Sequence, residues 1–176
     1  PLAFLMDEPL GTLDTEFRDL MCEELRSLHD RISATSVYVT HDQLEAMSMA
    51  DHIAIMNRGE VEQLGAPQEI YDRPATKFVA EFIGSPAMNF VRVRGSLAAA
   101  SKSIMIDGAR VDIPETREGV SGDEFLLGVR PEHIVLDDRS KLRGEVIATE
   151  YLGTTQIVSL VLPGGEAKAR VASAER

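Results

Sequence analysis

The chain has 176 residues, of which 44% are hydrophobic and 27% charged, and a formal net charge of −11 at pH 7. That length suits one domain or two small ones, and no apolar run approaches the roughly 18 residues of a membrane-spanning helix. No basic stripe able to track a phosphate backbone is present, which excludes nucleic acid as the expected partner.

The first element is predicted at residues 2–8, Leu-Ala-Phe-Leu-Met-Asp-Glu. A continuous apolar run that stops at a turn suits a strand buried on both faces of a parallel sheet. Ligands of open α/β sheets bind beyond the carboxyl ends of such strands, which draws attention to Asp7 and Glu8. An acidic turn before Pro9 is the plainer alternative. Gly11-Thr12-Leu13-Asp14 reads as a turn, with Thr12 or Asp14 capping the helix that follows. That helix is predicted to run to Ile32, with Phe17, Leu20, Met21, Leu25, Leu28 and Ile32 as its apolar stripe. Glu16, Asp19, Glu23 and Asp30 form a solvated face. Cys22, the only cysteine, excludes an intrachain disulfide and reads as an inert helix thiol.

Residues 35–40, Thr-Ser-Val-Tyr-Val-Thr, form a β-branched run that predicts a second strand, with His41 at its end. Strand, helix, strand is a right-handed βαβ unit with parallel strands. Asp7, Glu8 and His41 are therefore expected at one sheet edge. A short helix is predicted over 42–50, then a hairpin of strands 52–56 and 60–64 about Asn57-Arg58-Gly59. Pro67 and Pro74 each suit the first turn of a helix, the second covering about 75–83. Gly84-Ser85-Pro86 breaks the chain. Beyond it, short strand-like runs alternate with turns at 90–93, 103–106, 110–113, 124–129, 134–136, 145–151, 156–162 and 167–171, the pattern of a small barrel or sandwich. The charge shifts too: residues 1–86 carry 16 acids and 6 bases, residues 87–176 carry 13 and 12. The expected domains are 1–86 and 87–176.

Several segments together resemble the ATPase subunits of ATP-binding cassette (ABC) transporters. Residues 2–8 are similar to the Walker B strand and adjoining glutamate. Gly11-Thr12-Leu13-Asp14 resembles the D-loop, which usually begins with Ser. Val39-Thr40-His41-Asp42-Gln43, with Glu45-Ala46-Met47, resembles the switch-histidine loop. Ser85-Pro86 with Met88-Asn89-Phe90, and Gly128-Val129-Arg130-Pro131-Glu132-His133, resemble importer ATPases with a C-terminal TOBE β-domain, in the carbohydrate-uptake branch that includes maltose and glycerol-3-phosphate importers. The resemblance implies an α/β unit, the C-terminal part of a RecA-like P-loop NTPase domain, followed by an all-β OB-type barrel. No Gly-Lys pair occurs, so the phosphate-loop motif is absent from these residues, as are the Gln-loop and the Leu-Ser-Gly-Gly-Gln signature. Leu162-Pro163-Gly164-Gly165-Glu166 imitates that signature in the β region and is read as a hairpin turn. The chain is accordingly expected to be a piece of a longer subunit, without the phosphate-loop strand in its sheet and with exposed apolar edges.

The resemblance also implies roles. Asp7 would hold Mg²⁺ through water, Glu8 would be the general base for ATP hydrolysis, and His41 would sense the γ-phosphate. Asp14 would lie at a nucleotide-bearing subunit interface, or be only a helix cap. His29, His52 and His133 read as surface or packing residues, and Arg130 as a structural partner of an acid. The implied partners are a second ATPase subunit in a homodimer, transmembrane permease subunits and, indirectly, a substrate-binding protein. The implied location is cytoplasmic, peripheral on the inner face of the cell membrane. Import of polyamine, iron or oxyanion, or a ligand-binding regulatory role for the β-domain, are the alternatives.

Overall fold

The computed structural model describes residues 3–32 and 34–173, so Leu2 and Arg176 lie outside the described residues. The chain is mostly β with few helices, and it divides into two compact units, Pro1–Gly84 and Ser85–Arg176.

The first unit opens with β1 (Ala3–Asp7), α1 (Thr15–Ile32) and β2 (Thr35–Val39). β1 and β2 pair in parallel from Ala3 opposite Thr35 to Asp7 opposite Val39. One face of this ribbon is partly covered, with Phe4, Met6, Ser36 and Tyr38 half-buried. The other face is open: Leu5 is 81% exposed, Val37 50% and Val39 53%. The expectation of a strand buried on both faces fails because the sheet is two strands wide among the described residues and nothing there covers its second face.

The orientation of α1 differs from its apolar periodicity. Phe17, Leu20, Leu28 and Ile32 are exposed, while Arg18, Met21, Cys22, Leu25, Arg26 and His29 turn inward. Polar partners select this face. Arg26 donates to the carbonyl of Met49 at 2.7 Å and pairs with Asp51 at 2.9 Å, and His29 Nδ1 lies 3.1 Å from Ser36 Oγ. Burial pushes the Cys22 thiol up from its ordinary value, with the charges of Glu45, Asp19 and Asp42 adding to the effect, as for an inert buried cysteine.

α2 (Gln43–Met49) leads into the hairpin β3 (Ile53–Asn57) and β4 (Glu60–Gly65), then α3 (Pro67–Asp72) and α4 (Lys77–Phe82). Ile53, Ile55, Ile70, Val79 and Ile83 form the core of this part, with Ala46 and Met47 of α2 packed against it. Each such buried Ile or Val contributes about 1.5–3 kcal/mol. Pro67 opens α3, but Pro74 precedes α4, whose cap is Thr76 with its hydroxyl accepting from Val79 N–H at 3.3 Å.

The second unit contains β5 (Asn89–Arg94), β6 (Ser103–Ile106), β7 (Ala109–Asp112), β8 (Glu124–Val129), β9 (Glu145–Tyr151), β10 (Thr155–Leu162) and β11 (Gly165–Ala172). β5 pairs with β8, β6 with β7, and β10 lies between β9 and β11, all antiparallel. Asp107 and Gly108 both take positive φ in the two-residue turn joining β6 and β7, the type I′ geometry that matches strand twist. Pro163-Gly164 joins β10 to β11; a Cβ on Gly164 would come within 2.3 Å of the Arg92 carbonyl. The expected strand at 134–136 is absent. Pro131–His133 makes a single 3₁₀ turn, after which Ile134 packs on the β10–β11 core while Val135 points to solvent.

The edge of β11 is closed by a side chain. Asn89 donates from Nδ2 to the Lys168 carbonyl at 2.8 Å and accepts at Oδ1 from Lys168 N–H at 2.7 Å. Arg92 N–H donates to Gly164 O at 2.9 Å alongside. The amide of Asn89 thus acts as one rung of a ladder between β5 and β11. Asn89→Ala is expected to destabilise this unit by about 1–3 kcal/mol, the range for two hydrogen bonds with partners left partly buried. A urea midpoint unchanged from the parent would remove that role.

Candidate active site at the ends of two parallel strands

Register places the chemistry. β1 ends at Asp7 opposite Val39, the last residue of β2. Glu8 continues the pairing by one bond, its N–H donating to Val39 O at 2.8 Å, and its carbonyl accepts from Gly11 N–H at 3.2 Å. Between these bonds Glu8 has φ +45°, a left-handed conformation that costs a non-glycine residue roughly 1–2 kcal/mol. Such strain persists only where surroundings over-determine it, and it clusters at functional sites. Here the bonds on both sides of Glu8 hold it.

Glu8 Oε1 lies 2.9 Å from Nδ1 of His41. The pair is solvent-accessible, with His41 75% and Glu8 51% exposed. The hydrogen bond from His41 to Glu8, and then the Glu8 charge, raise the imidazole above its ordinary value, with smaller help from Asp42 and Glu45 against a slight opposing desolvation. Asp7 is exposed and, among the described residues, its carboxylate makes no hydrogen bond or ion pair. Asp14 caps α1, accepting at Oδ1 from Phe17 N–H at 2.9 Å. The structure thus brings Glu8 and His41 into contact, sets Asp7 beside them in sequence, and employs Asp14 in the turn below.

Residues flanking His41 form a network that sequence reading did not resolve into parts. Asp42 caps α2, with Oδ1 accepting from Leu44 N–H at 2.8 Å and Glu45 N–H at 3.3 Å. Its carboxyl is held below the usual range: burial opposes this, but the two backbone donors and Arg18 outweigh it. Glu45 is 4% exposed. Its Oε2 accepts from Tyr38 OH at 2.9 Å and Thr40 Oγ1 at 2.7 Å, and Thr40 Oγ1 accepts from Asp42 N–H at 2.9 Å. Burial, the bond to Glu45 and the Glu45 charge raise the Tyr38 hydroxyl well above its ordinary value, so it remains a donor. Gln43 Oε1 accepts from Gly84 N–H at 2.8 Å, anchoring the start of α2 to the end of α4. The available signal was Asp42 and Glu45 three residues apart, the spacing of a capping box. In the structure Glu45 turns inward to two hydroxyls, and Thr40 takes the amide a capping-box glutamate would have taken.

Residues 84–134 match the MalK OB fold domain family and residues 127–176 the TOBE domain family. Over its whole length the chain is 41% identical to the sn-glycerol-3-phosphate import ATP-binding protein UgpC of Chromobacterium violaceum, covering 48% of that protein. It is 49% identical over 162 residues to UgpC of Burkholderia mallei, with 90% of this chain and 43% of the relative aligned. The chain is homologous to the C-terminal part of import ATP-binding proteins. An uncharacterized ABC transporter ATP-binding protein of Sinorhizobium fredii, y4oS, is 44% identical over 170 residues, 94% of this chain and 44% of the relative. The chain spans about half the length of the curated relatives it matches. Apart from Gly84, the two family matches fall on the β-rich second unit of this chain. Among the described residues no helix is long and apolar enough to cross a membrane.

The Glu8–His41 pair carries a sign that can be checked. A raised imidazole value means that, while Glu8 is ionised, the ion pair is fully present at pH values below about 6.5, the ordinary value, and is lost as pH rises through the raised one. A ¹H–¹⁵N titration is expected to place the His41 midpoint above that of a free histidine, and Glu8→Gln to bring it back toward 6.5. A native midpoint at or below the ordinary value would dismiss the pair.

Proposed function

We propose that this chain supplies the Walker B, D-loop and switch-histidine part of an ATP-hydrolysing, energy-coupling subunit of an ABC importer, for sn-glycerol-3-phosphate or a sugar-like solute. The observation that carries the reading is the Glu8–His41 contact at the carboxyl ends of parallel strands, in a chain homologous to import ATP-binding proteins. The first unit is read as the C-terminal part of a RecA-like nucleotide-binding domain. Its open ribbon face at Leu5, Val37 and Val39 is of the kind that helices cover on the second face of a parallel sheet. The second unit, Ser85–Arg176, is read as the regulatory OB-type domain expected at 87–176.

The donor set suits ATP with Mg²⁺. Asp7 offers a hard carboxylate that is exposed and, among the described residues, unengaged. Among the described residues, no cluster of three or more His, Cys, Asp or Glu could hold a metal by protein ligands alone. Mg²⁺ in phosphate sites keeps several waters and uses one or two carboxylates plus phosphate oxygens, so a single aspartate is enough. Bound there, the ion would neutralise phosphate charge and offset repulsion between Asp7 and Glu8. Glu8 accepts the proton of the attacking water as general base. His41, protonated while paired with Glu8, is a cation able to exchange its carboxylate partner for a phosphate oxygen. Asp14 holds the turn at the interface with a second copy. Permease subunits and a substrate-binding protein complete the assembly, with this subunit on the cytoplasmic face of the membrane.

In the intact subunit, Glu8→Gln is expected to keep ATP binding while slowing hydrolysis by about 10²–10⁴-fold, the usual contribution of a general base. Near-normal turnover would remove Glu8 from that role. His41→Ala is expected to abolish transport-coupled hydrolysis, and an unchanged rate would sink the sensor assignment. The purified 176-residue chain is expected to show no magnesium-dependent ATPase activity above background in a phosphate-release assay, because these residues contain no Gly-Lys phosphate-loop motif.

A further inference from the structure

Arg18 lies one turn into α1, and its guanidinium spans two loops. Nη2 donates to the Leu13 carbonyl at 2.9 Å, inside the turn that follows Glu8. Nη1 donates to Asp42 Oδ2 at 2.9 Å, at the residue after His41. Nε faces Glu45 Oε1 at 3.6 Å, an ion-pair contact longer than a hydrogen bond, and is otherwise buried without a hydrogen-bond partner. The remaining oxygens of both carboxylates are committed elsewhere, Asp42 Oδ1 to the start of α2 and Glu45 Oε2 to Tyr38 and Thr40. Only a forked, rigid cation reaches all three acceptors from one side chain.

We propose that Arg18 is a positioning residue that couples the turn at residues 11–14 to the His41 loop, so that a change in one is felt by the other. Thr40 and Asp42, which bracket His41, both belong to the Arg18 network, whereas the His41 ring touches Glu8 alone among the hydrogen bonds described. The guanidinium thus reaches His41 through one hydrogen bond, to the adjacent Asp42, and Glu8 through three, by way of Leu13 O and the turn closed by Leu13 N–H on Leu10 O and Gly11 N–H on Glu8 O. Movement of the loop toward a phosphate would pull on Asp42, and Arg18 transmits that pull to Leu13. The catalytic significance of this link rests on the reading of Glu8 and His41 proposed above; the link itself does not.

A coupling cycle tests it on the whole 176-residue chain. Asp42→Asn keeps a capping side chain for α2 while weakening the bond to Arg18. Amide hydrogen exchange is followed at Gly11 and Leu13, which Asp42 does not touch. Asp42→Asn is expected to speed exchange there about fivefold with Arg18 present, as a moderate coupling between networked residues implies, and by less than about twofold in an Arg18→Lys background. Lysine keeps the charge and the packing of the stem but lacks the fork, so this background avoids the unfolding that Arg18→Ala risks. Equal effects in the two backgrounds, or no effect in either, would overturn the coupling. In the intact subunit, Arg18→Lys is expected to lower kcat with KM for ATP unchanged. A lowered kcat in Arg18→Lys alongside normal turnover in Glu8→Gln would retain Arg18 and discard the general-base reading. An unaffected kcat beside an inactive Glu8→Gln would do the reverse.

Discussion

Two parallel strands deliver their carboxyl ends to the same sheet edge, so their register decides which loops meet. In this chain the register sets Asp7 opposite Val39 and lets Glu8 take one further bond to Val39 O. A shift by one residue would reverse the faces of β1 and remove that bond. It would also release Glu8 from its left-handed conformation, which survives because its N–H and C=O are both engaged. The carboxylate meets His41 as a consequence of backbone pairing and turn geometry, with no contribution from burial of either side chain.

The division of labour around His41 has a chemical logic. Its ring is exposed and held by one hydrogen bond, so exchanging partners involves little repacking. Its neighbours in sequence are fixed. Thr40 and Asp42 are tied to each other, to buried Glu45 and to Arg18. Burying the Glu45 carboxylate is unfavourable unless its oxygens are matched, and two hydroxyls with a nearby guanidinium match them. An exposed ring is thereby mounted on backbone whose neighbours on both sides are tied by hydrogen bonds.

Local pattern was enough to find the strand ends and the meeting of Glu8 with His41, since both follow from a βαβ unit in which strand polarity is not free. It was also enough for most of the β-rich unit, where β6, β8 and β9 have the bounds their β-branched and turn residues predict. It was not enough for α1. Periodicity chose Phe17, Leu20, Met21, Leu25, Leu28 and Ile32 as one stripe, of which only Met21 and Leu25 turn inward, because the inward face depends on partners 7–25 residues further along: Ser36 for His29, Met49 and Asp51 for Arg26, Asp42 for Arg18. No window on α1 alone contains them. The same blindness hid Glu45, whose burial reflects two hydroxyls on the preceding strand and loop.

The two units deal with unsatisfied strand edges differently, and the difference bears on function. In the second unit the edge of β11 is closed from within, by the Asn89 amide and the Arg92 N–H. In the first, β1 and β2 have each other as their only strand neighbour among the described residues, and Leu5 and Val37 stand open on one face. Two-stranded ribbons are marginal in water by themselves, so this ribbon depends on α1 and on the polar ties of Arg18 and Arg26 to α2 and the residues around it. Exposed apolar surface on a sheet is ordinarily a docking surface or a liability. Under the function proposed above, the docking alternative is the one that fits an open face beside the Glu8–His41 pair. The bare surface and the Glu8–His41 pair lie on, or directly beyond, the same two strands.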